Sequence, residues 1–333
     1  MTGTLFIAQT PYHILLSLGM SSPGDKVQII DDFQDSSYFA KLIEGHESQL
    51  AVLGILPGRA TTKDTMGQRV RYSQRNIKAM RSLFDLERFS RLVIFNDRTP
   101  ETQFAAFLAR QKNIPLELVE DGLAAYVPSK ERPPSAYRGF LSRILFGRYY
   151  HNIVTLGTSP YVEVVRTFFP DLIIPSLRDK KLERLDPNLF NKIPPGIVEA
   201  MTSQLNPSNE CVLVLPHSEI LGAGGTDDGS LRAVMQGTAK GALDRYARVA
   251  VKYHPRERES YLGEYEGCDT IPKQVPMELV YLKLGGLREV IGPLSTSLYT
   301  ARIILGDRVK ITATSADPSA SELMRALSID QIS

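Results

Sequence analysis

Short apolar runs recur along the chain at Leu5 to Ala8, Val27 to Ile30, Leu92 to Phe95, Leu116 to Val119 and Ile153 to Leu156. Few polar residues interrupt them, which is the pattern of strands buried on both faces. Between them, Tyr12 to Met20 and Thr102 to Gln111 carry apolar residues at helical spacing. Strands alternating with helices predict a parallel α/β sheet, and the first half of the chain reads as one Rossmann-like unit. The pattern breaks from Phe169 to about Asn209, where Pro170, Pro175, Pro187, Pro194, Pro195 and Pro207 interrupt every regular run and charges cluster from Arg178 to Arg184. A linker is expected there. Alternation resumes with Cys211 to Pro216, a helix from Ser230 to Leu243, Val249 to Pro255, Glu289 to Ile291, Arg302 to Gly306 and Val309 to Ala313. A second Rossmann-like unit is expected, with the division at 1–190 and 191–333 and the last helix free to pack back on the first domain. Two such units would bind a ligand in the cleft between them, at the carboxyl ends of the strands.

Composition narrows the class. A chain of 333 residues with 43% hydrophobic and 23% charged residues fits a soluble two-domain protein. Its 39 Lys and Arg against 37 Asp and Glu exclude nucleic-acid binding through global charge. Cys211 and Cys268 form no C-x-x-C pair, which excludes a disulfide framework or a zinc ribbon and fits a reducing, cytoplasmic compartment. No secretory signal and no long apolar run is visible, so a transmembrane span is not expected. P-loop, H-E-x-x-H, G-x-S-x-G and D-x-D patterns are absent, and the glycines at 222, 224 and 225 lack the spacing of a dinucleotide fingerprint. Metal-free chemistry is what remains.

Four places put polar groups where a strand should stop. Glu120 and Asp121 follow an apolar run, with Gly122 permitting a sharp turn; a carboxylate there could take a proton from a substrate hydroxyl, or Asp121 could simply cap a helix. His254 is held extended before Pro255 and could serve a leaving phosphate, or lie on the surface; Lys252 and Arg256 beside it favour an anion site. Ser295, Thr296 and Ser297 precede a helical stretch, where hydroxyls cap the helix and, with free N–H groups, bind phosphate. Glu278 opens a helix after Pro276, which is favourable without any function, yet a carboxylate facing a nucleotide could accept both ribose hydroxyls.

In this order, Glu120-Asp121-Gly122, His254-Pro255 and Ser295-Thr296-Ser297 resemble the three motifs of bacterial sialyltransferases, among them the lipooligosaccharide sialyltransferases and capsular polysialyltransferase-like proteins. Thr10-Pro11-Tyr12-His13 resembles their N-terminal loop. The resemblance implies a glycosyltransferase B-type fold, an α/β architecture of two Rossmann-like domains facing across a cleft. Residues 1–190 would then hold the acceptor side and the general base, and 191–333 the CMP-sialic acid donor. Asp121 becomes the base, His254 assists the departing CMP, Ser295, Thr296 and Ser297 bind its phosphate, and Glu278 contacts the ribose. Gly122 and Pro255 complete the binding motifs. The sequence departs from the pattern with Glu at 120 and apolar residues after Gly122.

The chemistry is coherent without the resemblance. One protonated histidine, hydroxyls and backbone N–H groups could neutralise the single phosphate of CMP, so no cofactor and no essential metal are expected. A base on the opposite face of the sugar gives inversion. Alternatives are a transferase for a related CMP-activated sugar such as Kdo, and a non-catalytic glycan- or nucleotide-binding relative, which needs neither Asp121 nor His254. The expected partners are the CMP-sugar donor and a glycan acceptor of bacterial surface polysaccharide or lipooligosaccharide, with no nucleic acid. Arg69, Arg71, Arg75, Lys78 and Arg81 could track an anionic glycan, and Arg138, Arg143 and Arg148, set among apolar residues, could lie on an anionic inner-membrane surface. Solvated helix faces are the plainer reading of both.

Overall fold

The computed structural model describes residues 3–33, 35–58, 65–128, 136–217, 228–257, 268–315 and 318–331. Strand β1 (Thr4–Ala8) is buried over its whole length. Each fully buried aliphatic side chain of this kind stabilises the fold by about 1.5–3 kcal/mol. Around it stand β2 (Asp25–Asp31), β3 (Leu50–Pro57), β4 (Arg91–Ile94), β5 (Leu116–Val119), β6 (Val164–Thr167) and β7 (Lys181–Arg184), in the order β3-β2-β1-β4-β5-β6-β7. All pairs in this sheet are parallel. The crossovers carry α1 (Pro11–Met20), α2 (Ser36–Gly45), α3 (Met66–Leu86), α4 (Pro100–Gln111) and α5 (Ala136–Phe146). The start signals of α1 and α4 are the same: Thr10 and Thr99 cap with their hydroxyls, and Pro11 and Pro100 follow with φ already set for a helix.

The second sheet holds β8 (Cys211–Val214), β9 (Val249–Lys252), β10 (Cys268–Ile271), β11 (Glu289–Gly292), β12 (Lys310–Ala313) and β13 (Asp330–Gln331), in the parallel order β10-β9-β8-β11-β12-β13. Its helices include α7 (Asp228–Leu243), α8 (Met277–Lys283), α9 (Thr296–Leu305) and α10 (Ser321–Ala326), while α6 (Pro195–Thr202) spans the junction of the two units. The strand order reverses beside β1 and beside β8, and at such a point a crevice opens outside the carboxyl ends of the strands.

Two expectations need correction. Ile153 to Leu156 form no strand; β6 comes later, at Val164–Thr167. The buried Asp97 carboxylate accepts the N–H groups of Gly157 and Ser159 at 2.9 and 2.8 Å, so nearby backbone donors go to a side chain instead of a ladder. The proline-rich segment is not a linker. It supplies β7, and its Ile173, Ile174, Leu177, Leu185, Leu189, Phe190 and Ile193 are buried. Leu189 lies so close to α1 that a Cβ on Gly19 would sit 2.4 Å from its carbonyl oxygen. Contacts accordingly divide the chain into Met1–Ile197 and Val198–Ser333.

Candidate active site

In the first unit β1, β4 and β5 are neighbours and end on one edge of the sheet. His13, in the first turn of α1, is 1% exposed, and its ring stacks on Phe95 just past β4, with centroids 4.6 Å apart. The N–H of Gln9 donates to Nδ1 at 3.1 Å, so the proton of the neutral imidazole sits on Nε2. That nitrogen donates to Asp121 Oδ1 at 2.9 Å. Gln9 also donates its side-chain amide to Thr99, the cap of α4, tying the starts of both helices together.

Asp121 is 32% exposed, and its Oδ2 has no partner among the described residues. Its carboxylate does not cap the short 3-10 turn at Gly122–Ala125. Gly122 has φ +61°, a left-handed conformation that a residue with a Cβ adopts only under strain, and it turns the chain away directly after the acid. Glu120 does the opposite of its neighbour. Fully buried, it accepts the N–H of Phe168 at 2.9 Å and the hydroxyl of Tyr126, joining the end of β5 to the end of β6.

In the second unit His254, His217 and Ser295 follow three adjacent strands, β9, β8 and β11. His254 Nδ1 accepts the N–H of Arg256 at 3.2 Å, which leaves its proton on Nε2. Burial, the adjacent His217 and Arg256 push its pKa from 6.5 down to about 4. The protonated histidine expected from the sequence is therefore a neutral N–H donor near pH 7. Pro255 is exposed beside it. Lys252 is no anion ligand either: it is buried, and its Nζ donates to the carbonyls of Pro272, Lys273 and Val275 at 2.6, 3.0 and 2.7 Å. Burial pushes Lys252 down to about 7, with Glu278 opposing, and the three carbonyls match the three donors of its ammonium form.

This clamp holds the turn that leads into α8. Glu278, in the first turn, is buried and accepts the Thr300 hydroxyl of α9 at 2.9 Å; burial raises its pKa, and the Thr300 bond works against that rise. Tyr281 donates to the carbonyl of Ser297 at 3.0 Å, so α8 and α9 are locked together and Glu278 sits beside the Ser/Thr motif. Ser295 caps α9, its Oγ accepting the N–H of Leu298. The hydroxyls of Thr296 and Ser297, half-buried, have no partner among the described residues.

Sequence reasoning missed two residues. His217 lies just past β8 as His254 lies just past β9, so the rule that picked one could have picked the other. His13 was part of a loop motif, and nothing local links it to Asp121. Arg69, Arg71, Arg75, Lys78 and Arg81 are exposed on α3, whose inner face carries Ser73, Asn76, Met80 and Phe84. Gly222, Gly224 and Gly225 and the side chain of Arg138 lie outside the described residues. Among the described residues no group of three His, Cys, Asp or Glu could hold a metal ion.

Residues 62–314 match the family described as alpha-2,8-polysialyltransferase (POLYST). The chain belongs to that family. The matched span contains Asp121, His254, Glu278 and Ser295 to Ser297. No curated protein matches the chain by sequence. Among solved structures, the α/β-galactoside α-2,3-sialyltransferase of the marine bacterium Photobacterium phosphoreum is 13% identical, with a TM-score of 0.57 over 99% of this chain and 98% of that one. The sialyltransferase GT-B domain of Photobacterium damselae is 14% identical, with a TM-score of 0.53 over 99% and 100%. The glycosyltransferase SnogD of Streptomyces nogalater is 15% identical, with a TM-score of 0.56 over 99% and 86%. This member of the polysialyltransferase family thus has the GT-B fold of two parallel-sheet α/β domains, and it is a glycosyltransferase of the sialyltransferase class.

Proposed function

We propose that the enzyme moves sialic acid from CMP-sialic acid to a hydroxyl of a bacterial surface glycan, in one inverting displacement that needs no metal. The observation that carries this reading is the state of Asp121. It is an accessible carboxylate, one oxygen fixed by the buried N–H of His13 and the other without a partner, and it caps nothing. Such a group is built to take a proton at Oδ2.

Asp121 accepts the proton of the acceptor hydroxyl as that oxygen attacks the anomeric carbon. The bond from that carbon to the CMP phosphate oxygen breaks on the opposite face, and the electron pair leaves with CMP. His254 Nε2–H, the unpartnered hydroxyls of Thr296 and Ser297, and the N-terminus of α9 receive the negative charge. Glu278, steadied by Thr300, accepts from the ribose. The exposed cations of α3 suit an acceptor that is itself anionic, as a sialylated glycan is.

Calorimetry with CMP, together with transfer assays, tests the assignment. CMP binds while uridine and guanosine diphosphates do not. Asp121→Asn lowers transfer by about two to four orders of magnitude with CMP affinity nearly unchanged, whereas His254→Ala weakens both. Full activity in Asp121→Asn, or selective binding of another nucleotide, would reject it.

A further inference from the structure

Among the described residues six large apolar side chains are exposed, and three of them share α5: Leu141 (38%), Ile144 (63%) and Leu145 (41%). Their spacing of i, i+3 and i+4 makes one stripe along the helix. The orientation of that stripe is fixed from behind, because Phe146 packs against the core and its ring lies 5.1 Å from Tyr150. Arg143 and Arg148 are exposed, and neither pairs with an acid among the described residues. The sequence has no Asp or Glu between Glu131 and Glu163, so nothing local neutralises them. No helix among the described residues is long and apolar enough to cross a membrane.

We infer that α5 docks on an anionic lipid surface, with Leu141, Ile144 and Leu145 entering the boundary of the acyl chains and Arg143 and Arg148 meeting headgroup phosphates. Charge selects this occupant. A second copy of the chain would bring like-charged arginines together, and three side chains are far too small a patch for a stable dimer, which needs roughly 1,000 Å². A polyanion in solution would match the arginines and leave the apolar stripe in water. A bilayer of acidic phospholipids satisfies both halves, since arginine stems cover apolar surface while their heads stay at the phosphates. The inference does not depend on which sugar is transferred.

Vesicle flotation of the whole protein tests it, comparing phosphatidylcholine alone with phosphatidylcholine containing about one third phosphatidylglycerol. The protein floats with the acidic vesicles and stays down with the neutral ones. Each arginine near an acidic surface is worth about fivefold in partitioning, so Arg143→Gln with Arg148→Gln lowers binding to acidic vesicles by about tenfold or more. Ile144→Glu with Leu145→Glu lowers it at least as much. These side chains are exposed, so folding by circular dichroism and CMP affinity stay unchanged. Equal binding to both vesicle types, no binding at all, or unchanged binding in either double variant overturns the proposal. So does self-association of the wild type in sedimentation that Ile144→Glu abolishes, since the stripe would then join copies of the chain.

Discussion

His217 and His254 stand at the ends of neighbouring parallel strands with ring centroids 4.9 Å apart and planes tilted by 40°. Two imidazoles this close cannot both carry a proton cheaply, and half-burial of His254 adds to the restraint. A negative charge nearby would relax that restraint. An anionic phosphate beside the pair favours the protonated form that the protein alone disfavours.

The stability of the enzyme should therefore depend on acid in a definite direction. His254 has a folded value of about 4 against a reference of 6.5, so its contribution is fully present above pH 6.5 and is lost as pH falls toward 4. After discounting for partial exposure, about 1–2 kcal/mol is at stake. Chemical denaturation across pH 4 to 7 should show the slope in wild type and a shallower one in His254→Gln. Identical slopes would mean that the histidine is not held neutral.

His217→Gln removes one of the charges that hold His254 down, so the His254 titration should move up toward its ordinary value. The ring proton shift followed by NMR reads this directly. No movement would show that burial and Arg256 set the value without His217.

His13 should act on turnover through Asp121. His13→Ala leaves the carboxylate unanchored, and kcat should fall about 10- to 100-fold while the KM for the donor stays nearly constant, since the residues proposed to contact the donor belong to Val198–Ser333. His13→Gln, whose amide can still donate, should recover part of the loss. A variant with normal kcat would leave the 2.9 Å contact without a role in transfer.

Lys252→Met keeps the aliphatic stem and removes three donors from buried carbonyls. About 2–4 kcal/mol of stability should be lost, with weaker CMP binding, because the turn before α8 loses its clamp. Urea unfolding that matches wild type would place the clamp elsewhere.

Transfer should survive EDTA, because the proposed mechanism meets charge on the departing phosphate with hydroxyls, an imidazole and backbone N–H groups. Complete loss of activity, restored by added divalent cation, would require a different mechanism.

Much of the fold was legible because a strand buried on both faces must be written in apolar residues. β1, β2, β4, β5, β8, β9, β11 and β12 all stand where such runs lie. The edge strand β7, Lys181–Arg184, is charged because its face is partly open to water, and so it reads as a linker. The candidate site was half legible. Asp121, His254 and Ser295 follow strands, and Gly122 marks the turn. Lys252 beside His254 reads as an anion ligand, yet a lysine inside the wholly buried run Val249–Lys252 has to find acceptors indoors. The bond from His13 to Asp121 joins residues 108 positions apart, and no local spacing encodes it.

The late strands of the first sheet also set a timetable. α1 emerges during synthesis well before the backbone of Leu189 and the ring of Phe190 that cover it, which come near the end of the unit. A parallel sheet offers no hairpin from which to start, so the order of delivery matters. Until the ribosome has passed residue 197, the nascent chain carries an uncovered helix face and an open edge beside β5, both suited to sticking to other chains. Slowing translation just beyond this point should raise the soluble yield, and a slow patch before residue 164 should lower it.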